Sequence, residues 1–166
     1  MTAAGIEVAP VGGGVLVSRV AVPGVLTASQ DRLAGFQEAM AAAGLAADAV
    51  VHGDFTEVGG QRAAEELFAR HPDLDGIVVA SDLMAAGALR VLAELGRRVP
   101  HDIAVVGFDD LGVAERTTPR LTTVRQPVEQ MAERATRLLI ERVDSVHGSH
   151  PMRVIIPPTL VRRDSA

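Results

Sequence analysis

The 166-residue sequence contains no cysteine, tryptophan, tyrosine, lysine or asparagine, and its aromatic residues are four phenylalanines. Without cysteine there is no disulfide framework, thiol nucleophile, zinc–thiolate site or iron–sulfur cluster. Without lysine there is no Schiff-base chemistry, no P-loop phosphate grip and no kinase-type strand lysine. Long hydrophobic runs are missing too: the apolar stretches are far shorter than a membrane span, and the start lacks the charged-then-apolar order of a signal peptide. No membrane partner is expected, and a cytoplasmic location follows. Net charge is −5 and the 16 arginines are scattered among acids, so no face is basic enough to follow a phosphate backbone. His52, His71, His101, His147 and His150 have no metal-ligand spacing. No serine stands in a Gly-x-Ser-x-Gly elbow. These absences argue against an enzyme and against any metal or cofactor.

What is present alternates strand and helix. Residues 1–26 read as a flexible, glycine-rich lead-in with a short first strand at about 15–22. Ser29 is placed to cap a helix running to Gly44, with Leu33, Phe36, Ala39 and Met40 on one face. Ala49-Val50-Val51 is a short strand, and Thr56 opens a helix to about Arg70 that carries Ala63, Leu67 and Phe68 inward. A strand over Gly76–Ala80 leads to a helix capped by Asp82, with Gly96 as its C-terminal stop. A strand over 103–108 follows, then a polar loop, a strand Leu121–Arg125, a long helix over 127–146, and returning strands over 152–163.

Two segments carry most of the information. Gly76-Ile77-Val78-Val79-Ala80-Ser81-Asp82 and Ile103-Ala104-Val105-Val106-Gly107-Phe108-Asp109-Asp110 are each a β-branched apolar run ending in acid. That is the pattern of a buried parallel strand delivering a carboxylate to the C-terminal edge of an α/β sheet, where such sheets bind ligands. An acidic pair at a strand end also occurs in phospho-accepting receiver domains, whose chemistry needs a lysine that is missing.

With Asp31-Arg32-Leu33-Ala34-Gly35-Phe36 and Leu121-Thr122-Thr123-Val124-Arg125-Gln126-Pro127, these segments resemble the effector-binding domain of lactose-repressor/galactose-repressor transcription regulators, over roughly residues 27–165. The resemblance implies an α/β fold with a mainly parallel sheet flanked by helices. It is periplasmic-binding-protein-like (type I): a second subdomain with part of a first. The implied function is sensing a sugar or nucleoside and forming a homodimer, with DNA bound only through a headpiece that this sequence does not contain. A free-standing sugar-binding protein of the ribose-binding type is the alternative reading. By the same resemblance, strand 121–125 crosses back to the first subdomain. Helix 127–146 then has an apolar stripe, Val128, Met131, Ala135, Leu138 and Leu139, which needs cover from a second copy or a repacked N-terminus.

The candidate ligand residues are Arg32, Phe55, Ser81, Asp109 and Gln126. Asp109 matches the family acid that takes sugar hydroxyls, or else caps the next turn with Asp110. Arg32 matches the family arginine reaching the effector, or else pairs on the surface with Asp31 or Glu38. Phe55 stands where the family places a ring against the ligand, and equally suits a core. Ser81 replaces a frequent family asparagine, which leaves the effector open. Gln126 reaches a ligand at the hinge or satisfies the crossover. With one wall of the cleft encoded, weak or no effector affinity is expected. The family's dimer helix and the loop after it correspond to Ala85, Ala86, Leu89, Leu92 and Thr117.

Overall fold

The computed structural model describes residues 15–18, 27–144 and 154–166. A six-stranded sheet has the order β2-β1-β3-β4-β5-β6. The strands are β1 (Val15–Ser18), β2 (Val50–Val51), β3 (Gly76–Val78), β4 (Ala104–Asp109), β5 (Thr122–Arg125) and β6 (Thr159–Val161). β1 through β5 run parallel, and β6 lies antiparallel to β5 at the edge. The helices are α1 (Thr27–Ala42), α2 (Glu57–Arg70), α3 (Asp82–Glu94) and α4 (Val128–Asp144).

Strand periodicity sends alternate residues to opposite faces, and each face has its own core. Val51, Ile77 and Val79 join the α2 and α3 side chains in the larger cluster, with Met84, Leu92, Ile103 and Leu121 almost fully enclosed. Val50 and Val78 point the other way, against Leu33, Phe36 and Met40 of α1. The spacing of those three residues places them on one helical face, as the sequence predicted.

Local chemistry sets the helix ends. Thr56 caps α2 by accepting a hydrogen bond from the Gly59 N–H at 2.9 Å, as expected. Gly44 and Gly96, both at φ 69°, end α1 and α3 in the left-handed turn that glycine adopts at least cost. In each case the next N–H closes back five residues, Leu45 to Met40 and Arg97 to Leu92, both at 2.9 Å. Thr56→Ala leaves the Gly59 N–H without this acceptor and is expected to lower unfolding free energy by about 1 kcal/mol in denaturant titration.

Four expectations are corrected. Ser81, not Asp82, caps α3, accepting from the Met84 N–H at 3.3 Å. α1 begins at Thr27, so Ser29 lies within its first turn rather than before it. β5 stays in the same sheet, registered on β4 from Val106↔Thr122 to Asp109↔Arg125, where its buried hydroxyls find partners outside the sheet: Thr123 donates to Asp82 of α3 at 2.6 Å and Thr122 to the Ala166 carbonyl at 3.4 Å. The returning segment is a strand only over β6; residues 154–158 have no regular structure, and 152–153, like 19–22 of the first strand, lie outside the described residues. Among the described residues α4 packs extensively on no other element, and Val128, Met131, Leu139, Ile140 and Val143 are exposed along it.

Candidate functional site

In the order 2-1-3-4-5 the connections diverge between β1 and β3, and a crevice opens there at the carboxyl ends of the strands. Arg32, in the second turn of the helix that follows β1, bridges this crevice. Its Nη1 donates to the carbonyl of Ala80, just beyond β3, at 2.6 Å. The guanidinium lies 3.8 Å from the centroid of the Phe108 ring, a cation–π contact that fixes its plane. Its Nη2 stands 3.7 Å from Asp109 Oδ1. That separation is too long for a direct hydrogen bond, and a hydroxyl lying beside the two groups, not between them, can accept from the arginine and donate to the carboxylate.

Asp109 ends β4 and is held from the other side by Gln126, whose Nε2 donates to Oδ1 at 2.6 Å. Burial pushes the Asp109 carboxyl up from its ordinary range; Arg32, Gln126 and the Asp82 backbone N–H pull it back only in part. Burial also draws Arg32 below its usual value, against the pull of Asp109. An arginine that starts so high stays charged, so the crevice holds one fixed cation facing a carboxylate with a softened hold on its charge.

Backbone strain marks the same edge. Among the described residues, the non-glycine positions with positive φ are Phe55 at 65°, Asp109 at 124° and Asp110 at 59°. Such conformations cost free energy and collect where a site must aim side chains in unusual directions. Phe55, in the loop between β2 and α2, packs its ring partly against the larger core cluster. Beside it Asp54 Oδ1 takes both the N–H and the hydroxyl of Thr56, at 3.0 and 2.6 Å.

Arg32, Asp109 and Gln126 are therefore brought together. Phe55 is placed at the same sheet edge. Ser81 is not available: it is 2% exposed and its oxygen is spent on the α3 cap. Among the dimer candidates Ala85, Leu89 and Leu92 lie in the core, because α3 is covered by α2 on one side and by the sheet on another. Ala86 and Thr117 are half-buried, and Leu83 is exposed on the outer side of α3.

Several residues were missed. Phe108 supplies the ring beneath Arg32. Asp82, 2% exposed, takes the Thr123 hydroxyl at 2.6 Å and the Asp110 N–H at 2.8 Å. Burial raises its carboxyl from the ordinary range, against those two hydrogen bonds. Gly107 makes room for it, since a Cβ there would strike Asp82 Oδ1. No signal in the local sequence separates an inward-facing Asp82 from a helix cap, whereas the alternation Val106-Gly107-Phe108-Asp109 does place Phe108 off the face of Val105 and Gly107.

A family model described as a periplasmic binding protein-like domain matches residues 16–166. The chain belongs to that family. Its relatives include the HTH-type transcriptional regulator CelR of Thermobifida fusca, 44% identical over 90% of this chain and 44% of that protein. The HTH-type transcriptional regulator GalR of Escherichia coli K12 is 40% identical over 82% of this chain and 40% of its own length. Among solved structures, a transcriptional regulator CelR–cellobiose complex superposes with a TM-score of 0.85 at 41% identity, covering 93% of this chain and 47% of that one. A dimeric Lac repressor superposes at 0.78 with 26% identity, over 92% of this chain and 55% of that one. The fold and recognition expected from the sequence hold: these are lactose-repressor/galactose-repressor regulators, and the chain spans less than half the length of the curated relatives it matches.

Proposed function

We propose that this chain is the effector-sensing and dimerising part of a cytoplasmic transcriptional regulator, that its ligand is a sugar-like polyhydroxyl compound, and that it performs no catalysis. The observation that carries the reading is the juxtaposition of Arg32 Nη2 and Asp109 Oδ1 at 3.7 Å, without a direct hydrogen bond, flanked by Gln126 and by the Phe108 ring. Vicinal hydroxyls each donate and accept, so a planar donor fork facing a carboxylate suits them. The named relatives are regulators, and one of them was solved with cellobiose. Contact with operator DNA belongs to sequence outside this acidic stretch.

Dimerisation is assigned to the outer side of α3 and the loop after β4. Leu83 and Leu111 are exposed there, at 46% and 65%, with Ala86 and Thr117 beside them in sequence. The apolar stripe of α4 is a separate exposed surface, suited to cover by a second copy of the chain or by a repacked N-terminus.

Thermal-shift measurement across pentoses, hexoses, nucleosides and cellobiose tests the ligand reading, since binding to the native state raises Tm by mass action. Because this chain supplies one wall of the cleft, the expected result is a small rise, at high concentration of one class of compound, that Arg32→Ala abolishes. A rise of equal size in Arg32→Ala would remove Arg32 from the site, and no rise with any compound would count against a sensor.

The site also predicts a pH dependence. Asp109 accepts a ligand hydroxyl best as the carboxylate, and burial raises its carboxyl above the ordinary range. Effector affinity is therefore expected to fall on acidification at a higher pH than an exposed aspartate would give. Titration calorimetry between neutral pH and the acid limit of folding measures it; affinity that stays flat until ordinary carboxylates protonate contradicts this role for Asp109.

A further inference from the structure

The last residues of the chain are built into the sheet. Ser165 is fully buried at the N-terminal end of the β4–β5 pair: its carbonyl takes the Val105 N–H at 2.8 Å, and its hydroxyl donates to the Val105 carbonyl at 2.6 Å while accepting from the Thr122 N–H at 2.8 Å. Asp164 donates its N–H to the Arg120 carbonyl at 3.0 Å and pairs with the Arg120 side chain at 2.8 Å. The Arg163 N–H reaches Thr122 Oγ1 at 2.9 Å. Residues 159–166 thus form a strap, first a strand on β5 and then an insertion beside it.

From this strap one side chain returns to the crevice edge. Arg163, with its side chain 10% exposed, donates through Nη1 to the Leu121 carbonyl at 2.9 Å and through Nη2 to Asp110 Oδ1 at 2.7 Å. Arg125 takes the other oxygen, Oδ2, at 2.6 Å. The Asp110 side chain, 3% exposed, is thereby clamped between two guanidinium groups, while its own N–H is held by Asp82. Burial pushes the Asp110 carboxyl up, yet the two arginines outweigh it and hold it below the ordinary range.

We propose that Arg163 is a positioning residue for the effector site: by clamping Asp110 it keeps the left-handed Asp109–Asp110 turn in the one conformation that aims Asp109 at Arg32 and Gln126. The inference rests on Asp109 being the effector-facing acid, but its geometry can be tested without an effector. Two consecutive non-glycine residues at positive φ persist only where surrounding bonds over-determine them. Here the bonds come from Asp82, Arg125 and Arg163, and Arg163 is the one carried by the strap. The charge-assisted pair is short and almost dry, the setting in which such a bond holds most firmly. The strap thereby couples the end of the chain to the ligand carboxylate.

The test uses the full 166-residue chain with Arg163→Gln, Arg163→Lys and, as a control one residue away on the exposed side, Arg162→Gln. Amide hydrogen exchange and the Gln126 side-chain amide resonance are followed by NMR. In Arg163→Gln, Asp110 amide exchange is expected to accelerate about tenfold or more and the Gln126 amide to move toward its solvent-exposed position, while Val105 and Thr122, held by Ser165, stay protected. Arg163→Lys, which keeps one charged donor for Asp110, recovers part of the effect, and Arg162→Gln shows none. Unchanged Asp110 exchange in Arg163→Gln overturns the proposal, as does joint loss of protection at Val105 and Thr122, which would make Arg163 a support for the whole strap. Cellobiose titration forms a separate arm: about a tenfold weaker Kd in Arg163→Gln supports the coupling and an unchanged Kd overturns it. A parent chain that ignores cellobiose counts against the functional reading alone and leaves the exchange data to decide.

Discussion

Gly87→Ala is expected to destabilise the chain by about 2–3 kcal/mol, whereas Gly35→Ala in α1 stabilises it by about 0.5–1 kcal/mol. The same substitution changes sign because of what the new Cβ meets. At Gly87 it falls on the backbone carbonyl of Glu57 and the backbone N of Gln61, where α3 crosses α2. At Gly60, across the same crossing, it falls on the Met84 backbone. Neither helix can retreat by the roughly one ångström the new Cβ needs without dragging the core residues Ala63, Leu67, Met84 and Ala88 with it. At Gly35 nothing lies within 4 Å, so alanine gains helix propensity without penalty. Urea unfolding of the three proteins, with m-values compared, measures the difference; a neutral Gly87→Ala would mean that the helices are not in backbone contact.

The second large effect is on ligand binding. Asp109→Asn is expected to weaken the effector by about 1.5–3 kcal/mol, roughly 10- to 100-fold in Kd, the loss of one hydrogen bond to a charged group. Stability is expected to move the other way. The folded-state carboxyl of Asp109 is raised, so the native state binds this proton more readily than the unfolded chain. A carboxyl of that kind favours folding as pH falls through the raised value toward the unfolded one, and it costs stability above them, at neutral pH. Removing its charge relieves that cost, and the Tm of Asp109→Asn is expected to equal or exceed that of the parent at neutral pH while binding is lost. A site residue kept at the expense of stability behaves this way, whereas a structural one would lose both. Arg32→Ala should match the loss of affinity, because the two groups act on one hydroxyl.

Much of this arrangement was legible in the sequence because it depends on short-range patterning. β-Branched runs ending in acid placed Asp109 at a strand end, the helical spacing of Leu33, Phe36 and Met40 placed α1 on the sheet, and Thr56 announced the start of α2. The rest depends on distant partners. Asp82 resembles an ordinary helix cap until Thr123 and the Asp110 N–H, 41 and 28 residues away, are brought to it. α3 is apolar nearly all round, so its sequence did not show that Ala85, Leu89 and Leu92 face the core while Leu83 faces outward. Arg163 lies 53 residues from Asp110, beyond any pattern a local reading can use. Strand β5 was expected in another subdomain from the resemblance alone; its place beside β4 depends on partners far along the chain, Asp82 for the Thr123 hydroxyl and the Ala166 carbonyl for that of Thr122.

The most direct test is an NMR titration of the 15N-labelled chain with cellobiose and then with the wider sugar panel, a method that registers weak as well as tight binding. The site as described predicts progressive shifts confined to Arg32, Ala80, Phe108, Asp109 and Gln126, and their disappearance in Asp109→Asn. Shifts centred elsewhere, shifts that survive Asp109→Asn, or no response to any sugar would contradict the assignment of this crevice as the effector site.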